Sequence, residues 1–156
     1  MNRRGFSLME MLVVIVIIGL SSLIAVPRLR SAVDRANVRG ARGEIGDLIS
    51  KARATAVARG CTATFNVTTG TTGKAWVTSC LVGTVGAVGA VIDTVWIVDS
   101  LASRFKVNIT SDVASIAFDR RGLRTNYVLS TIRAQSTTST VIDSIQVNQV
   151  GKVVMR

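Results

Sequence analysis

The sequence predicts an α+β chain: a long N-terminal α-helix, one half transmembrane and the other amphipathic, packed on a mainly antiparallel β head. Three observations predict it. Residues 6–26 form an apolar run interrupted by a single charge, Glu10; residues 28–59 carry apolar side chains at helical spacing; and beyond residue 60 short runs of β-formers alternate with polar turns. A chain of 156 residues accommodates one globular domain with an N-terminal appendage.

The first element is the run FSLMEMLVVIVIIGLSSLIAV, preceded by the short basic stretch MNRRG. At 1.5 Å per helical residue the run would extend about 31 Å, close to the thickness of a bilayer's hydrocarbon core. An ordinary secretory signal has a shorter apolar region followed by a small-residue cleavage site. Here the run passes directly into Pro27 and a basic stretch, so cleavage after it is not expected. Arg3 and Arg4 favour a cytoplasmic N-terminus, while Arg28, Arg30 and Arg35 on the other flank oppose them, so charge alone leaves orientation open. Glu10 has two readings from the residues alone. It either faces water at interface depth or requires a cationic partner, because a carboxylate at membrane depth costs on the order of a few kcal/mol.

GFSLME followed by LVVIVIIGLSSLIAVP resembles the N-terminal signal of type IV prepilins and type II secretion pseudopilins. In that family a prepilin peptidase cuts after the Gly, methylates the new N-terminus and leaves Glu as the fifth mature residue. The resemblance implies cleavage between Gly5 and Phe6, N-methylation of Phe6 and an assembly role for Glu10. It implies a leader at residues 1–5, a transmembrane and filament-core helix at 6–27, a stem helix at 28–60 and a head at 61–156. Its implied partners are other pilin or pseudopilin subunits, the prepilin peptidase/methyltransferase, an inner-membrane assembly platform and, before assembly, inner-membrane lipid. It also implies a single-pass protein of a bacterial inner membrane, N-terminus cytoplasmic and head periplasmic, that later enters a pseudopilus or a pilus. Loss of Arg3 and Arg4 would lower the +10 formal charge by two and leave an amine on Phe6. Between stacked apolar helices, Glu10 of one subunit can neutralise the Phe6 amine of the next; a misregistered pair would cost roughly 3–5 kcal/mol.

In the stem, Leu29, Val33, Ala36, Ile45, Leu48, Ile49, Ala52 and Ala56 recur mostly at spacings of three, four and their multiples, which predicts one face packed on a sheet. Gly40, Gly43 and Gly46 each weaken the helix by up to about 1 kcal/mol relative to Ala, so bending or melting is expected there. Gly60 is a natural stop. CTATFNVTTGTTGKAWVTSC reads as a hairpin. With its turn centred on Gly70 and Thr71, Phe65 faces Trp76 and Cys61 faces Cys80; a disulfide in an oxidising compartment and a pair of buried thiols are both open. Leu81 to Ala90, with Gly at every third position, reads as a flexible loop. Further strands are expected at Val91 to Val98, Phe105 to Ile109, Ser115 to Phe118, Tyr127 to Arg133, Val141 to Val147 and Lys152 to Met155.

Composition narrows the function classes. With no His, and with two cysteines 19 apart and no third ligand, neither a metal site nor a catalytic constellation is assembled in sequence, and no cofactor is expected. The +10 charge favours an acidic partner. EIGDLISKARATAVARG, IAFDRRGLRTN and DSIQVNQVGKVVMR resemble the GspH/FimT group of minor pseudopilins and pilins, which implies a two-sheet head and a minor-subunit role in a type II secretion pseudopilus or type IV pilus. Some FimT-like members bind DNA through a basic C-terminal motif. The matching residues here are Gly151, Lys152 and Arg156, with Arg120, Arg121 and Arg124 as further phosphate contacts. The alternative is that these cations serve solubility or subunit contacts.

Overall fold

The computed structural model of the protein describes residues 8–80, 92–126 and 128–155. Residues 81–91, which include the expected loop, therefore lie outside the described residues. The chain divides into two compact units, Met1–Val33 and Asp34–Arg156.

One helix, α1 (Leu8–Arg59), runs through both and passes Pro27 without a break. Within the first unit its apolar side chains are exposed on all sides, from Val14 at 45% to Leu8 at 83%. By length and composition α1 is able to cross a membrane. The hydroxyl of Ser22 donates to Ile18 O at 2.8 Å, so this apolar stretch carries its serine with the donor satisfied inside the helix.

From Asp34 onward the pattern changes to one buried face: Val38, Ala41, Ile45, Leu48, Ile49, Ala52 and Ala56. This face packs on two four-stranded antiparallel sheets, and the three layers share one core. Sheet A has the order β3-β2-β1-β5, formed by β1 (Ala63–Val67), β2 (Ala75–Cys80), β3 (Ile92–Val98) and β5 (Ser115–Phe118). Sheet B has the order β4-β6-β7-β8, formed by β4 (Val107–Ser111), β6 (Ser130–Ser136), β7 (Ile142–Val147) and β8 (Val153–Met155). The α+β class, the long helix and the two antiparallel sheets agree with the expectation. The strands alternate as half-buried strands should, buried and half-buried residues taking turns along β1 and β2.

The helix ends as predicted from Gly60. Its φ is 66°, Cys61 N donates to Ala56 O and Gly60 N to Val57 O, the paired bonds of a Schellman cap. Melting at the stem glycines does not occur, because α1 is continuous through all three. Two of them make room for neighbours: a Cβ on Gly40 would lie 2.6 Å from the Phe105 ring and one on Gly46 2.6 Å from Met155 Cε.

The hairpin register also differs from expectation. Phe65 pairs with Val77 and Trp76 with Asn66, so Phe65 does not face Trp76. The cause is the loop. Gly70, at φ 106°, exchanges two backbone hydrogen bonds with Ile109 of β4, at 2.8 and 3.2 Å, and the last hairpin pair is Thr68 with Lys74. Recruiting Gly70 into a contact with sheet B requires a longer loop than a two-residue turn, and the partners shift by one position. Between β3 and β4 the chain forms a short helix, α2 (Leu101–Arg104), which delays the strand expected from Phe105 until Val107.

Candidate assembly segment and cationic surface

Gly5, Phe6 and Arg156 lie outside the described residues. Glu10 stands exposed in the first turn of α1 among exposed apolar neighbours.

Cys61, the residue following the Schellman glycine, is disulfide-bonded to Cys80 at the end of β2, with Cα atoms 6.4 Å apart. They are not directly opposed in the observed register, in which position 79 already pairs with Ala63. Beside the disulfide, Arg59 Nη1 donates to Cys80 O at 2.7 Å and pairs with Asp93 of β3 at 3.2 Å. The helix terminus is thus joined to sheet A by a covalent bond, a hydrogen bond and an ion pair.

The candidate DNA-contacting residues separate into two environments. Asp119 to Gly122 form a turn in which Asp119 Oδ1 accepts from the backbone N–H groups of Arg121 and Leu123 at 2.9 and 2.8 Å, leaving the side chains of Arg120 and Arg121 exposed. Lys152 is exposed at the end of the β7–β8 turn. The two turns touch: a Cβ on Gly151 would meet Phe118 at 2.7 Å and Gly122 O at 3.8 Å.

Arg124 does not join them. Its side chain is buried and donates to Val128 O, to Val147 O at 3.2 Å and to Ser130 Oγ. Burial lowers its pKa, opposed by the Asp112 carboxylate, yet the group ties the β5–β6 connection to β7 and is not free for a phosphate. The grouping of Arg124 with exposed turn cations is corrected accordingly.

Arg53, exposed on the stem helix, belongs with this set. A Cβ on Gly122 would lie 3.2 Å from its Nε, and Arg53 and Lys152 line the same cleft of about 630 Å³. Nothing local in the sequence ties residue 53 to residues 120 and 152; helical phase showed only that Arg53 points away from the buried stripe. A second basic region along α1 holds Arg35, Arg39 and Arg42, where Arg42 pairs with Asp143 at 2.8 Å. Among the described residues no group of His, Cys, Asp and Glu is placed to hold a metal.

Comparison with known proteins agrees with this architecture at both ends. Residues 1–26 match the family model described as the prokaryotic N-terminal methylation motif. A search of curated proteins returned no match. Among solved structures, the type IV minor pilin FimU of Pseudomonas aeruginosa (strain PAO1) is similar in two crystal forms. In one the TM-score is 0.61 at 15% identity, covering 78% of this chain and 90% of that one. In the other it is 0.57 at 14%, covering 76% and 91%. The protein therefore joins a prokaryotic N-terminal methylation motif to a fold similar to that of a type IV minor pilin.

Proposed function

We propose that the protein is a minor pilin or pseudopilin subunit whose work is assembly into a type IV pilus or a type II secretion pseudopilus. The observation that carries this reading is the methylation motif at residues 1–26 continuing into an exposed apolar helix on a minor-pilin fold. In this reading a prepilin peptidase cuts between Gly5 and Phe6 and methylates Phe6. The apolar helix resides in the inner membrane, with the head periplasmic, until an assembly platform transfers the subunit into the filament. Glu10 then pairs with the Phe6 amine of a neighbour, which neutralises two charges inside an apolar core. The mass of the N-terminal peptide after co-expression with a prepilin peptidase tests it: loss of residues 1–5 and one added methyl on Phe6 are expected, and a mature chain still starting at Met1 overturns it. Glu10→Gln is expected to abolish incorporation into filaments without lowering the thermal stability of the head.

A second reading has the same scaffold hold extracellular DNA. The observation that favours it is the convergence of Arg53, Arg120, Arg121 and Lys152 on touching elements. If these cations neutralise phosphates, affinity falls as a power of salt concentration, and the combined Arg120, Arg121 and Lys152 alanine variant flattens that dependence. Failure to retard DNA at low salt removes this reading.

A further inference from the structure

Sheet B ends on an open edge. Its last strand, β8, has three residues and pairs only with β7 among the described residues. Asn148 N donates to Lys152 O, so in this antiparallel pair the next hydrogen-bonded position is Gln146 with Val154. The N–H and C=O groups of Val153 and Met155 therefore point away from β7. The side chains of these two residues share a face with Ile145 and Val147, which are buried in the core, but Val153 is half-buried and Met155 is 46% exposed. A strand edge and the margin of an apolar face are thus left uncovered together.

Alongside lies the cleft of about 630 Å³, whose lining includes Ile49, Ala54, Val57 and Ala58 of α1 and Val153 of β8. Its rim carries Arg53 and Lys152, with Arg120 and Arg121 on the adjoining turn. The ion pairs among the described residues are Arg42–Asp143, Arg59–Asp93 and Lys74–Asp99, and none involves these four cations. The carboxylate of Asp119, the one acid on the two turns, is engaged by its own turn's N–H groups.

We infer that this cleft receives an extended segment of a different subunit, apolar on one face and acidic on the other, which adds to β8 as a further strand of sheet B. The inference rests on the filament-subunit reading above. Backbone groups of Val153 and Met155 supply the ladder, the apolar lining takes alternate side chains, and the rim cations take the carboxylates. An apolar floor beside an open strand edge suits a peptide better than a nucleic acid, whose phosphates need cations and find none at the floor. A second copy of this chain is a poor match, since its formal charge of +10, lowered by two on loss of Arg3 and Arg4, is still strongly positive and it brings only nine acidic residues. The complement is an acidic partner, so the contact selects for a mixed filament.

The test uses the full-length protein in detergent and a short peptide alternating valine with glutamate, compared with a valine–lysine peptide and with oligothymidylate. The valine–glutamate peptide is expected to bind and to slow amide exchange at Val153 and Met155 but not at Val154. Val153→Pro removes an outward N–H that sheet B does not use and is expected to abolish binding. The double reversal Arg53→Glu with Lys152→Glu, at exposed positions that leave the core intact, is expected to weaken binding about tenfold or more. Equal binding of the valine–lysine peptide, unchanged exchange at Val153 and Met155, or binding of oligothymidylate alone overturns the proposal. Because processing at Phe6 is read by mass, failure of the peptide test is distinguishable from failure of the filament reading.

Discussion

The two stretches of α1 are both helical and both rich in apolar residues, yet they solve different problems. From Leu8 to Val33 the apolar side chains surround the axis and stand exposed, whereas from Asp34 to Arg59 the large ones gather mainly on one buried face, where Ile45, Leu48 and Ile49 are each 1% exposed, with Val57 outside it. A helix apolar all round needs an apolar environment on every side, and an amphipathic one needs a single partner surface. The head supplies that surface for the second stretch. For the first, the described chain supplies none, and lipid or neighbouring apolar helices are the environments that fit.

Four substitutions test this comparison. The largest expected effect belongs to the head: Phe65→Ala empties a fully buried position and should cost about 3–5 kcal/mol in thermal unfolding, with membrane partition unchanged. Next, Ile17→Arg places a charge in the uniformly apolar stretch at about 2.5–3.5 kcal/mol on insertion scales. It should weaken partition of the protein into lipid vesicles while leaving the head's melting temperature where it was; unchanged partition would break the comparison. The smallest pair sharpens it within the amphipathic stretch. Gly40→Ala drives a methyl into the Phe105 ring and should destabilise by about 1–3 kcal/mol. Gly43→Ala meets no atom within 4 Å and should stabilise by up to about 1 kcal/mol through helix propensity. Equal effects at the two glycines would show that propensity alone governs the stem.

These glycines also mark the boundary of what local sequence conveys. Turn chemistry and alternation are local, so the helix stop at Gly60 and strands such as Ser115–Phe118 were readable from neighbouring residues alone. The hairpin register was not, because it depends on Gly70 meeting Ile109, a residue from another sheet. Gly40 and Gly46 read as weak points for the same reason: their neighbours Phe105 and Met155 are remote in sequence. At the cationic surface, a string such as DRRGLRT gives each arginine the look of a turn residue. Arg124 turns inward because acceptors on β6, β7 and the β5–β6 connection converge on it, and Arg53 arrives from a helix that the string does not contain.

The junction at Cys61 has a mechanical consequence. A rod pulled along its axis hands tension to whatever follows its final turn, and here the path forks at once. One branch continues through the main chain into β1, and the other crosses the sulfur bridge to β2. Load is divided between two adjacent strands by covalent bonds before any sheet hydrogen bond must carry it, so the head resists being unzipped from its first strand.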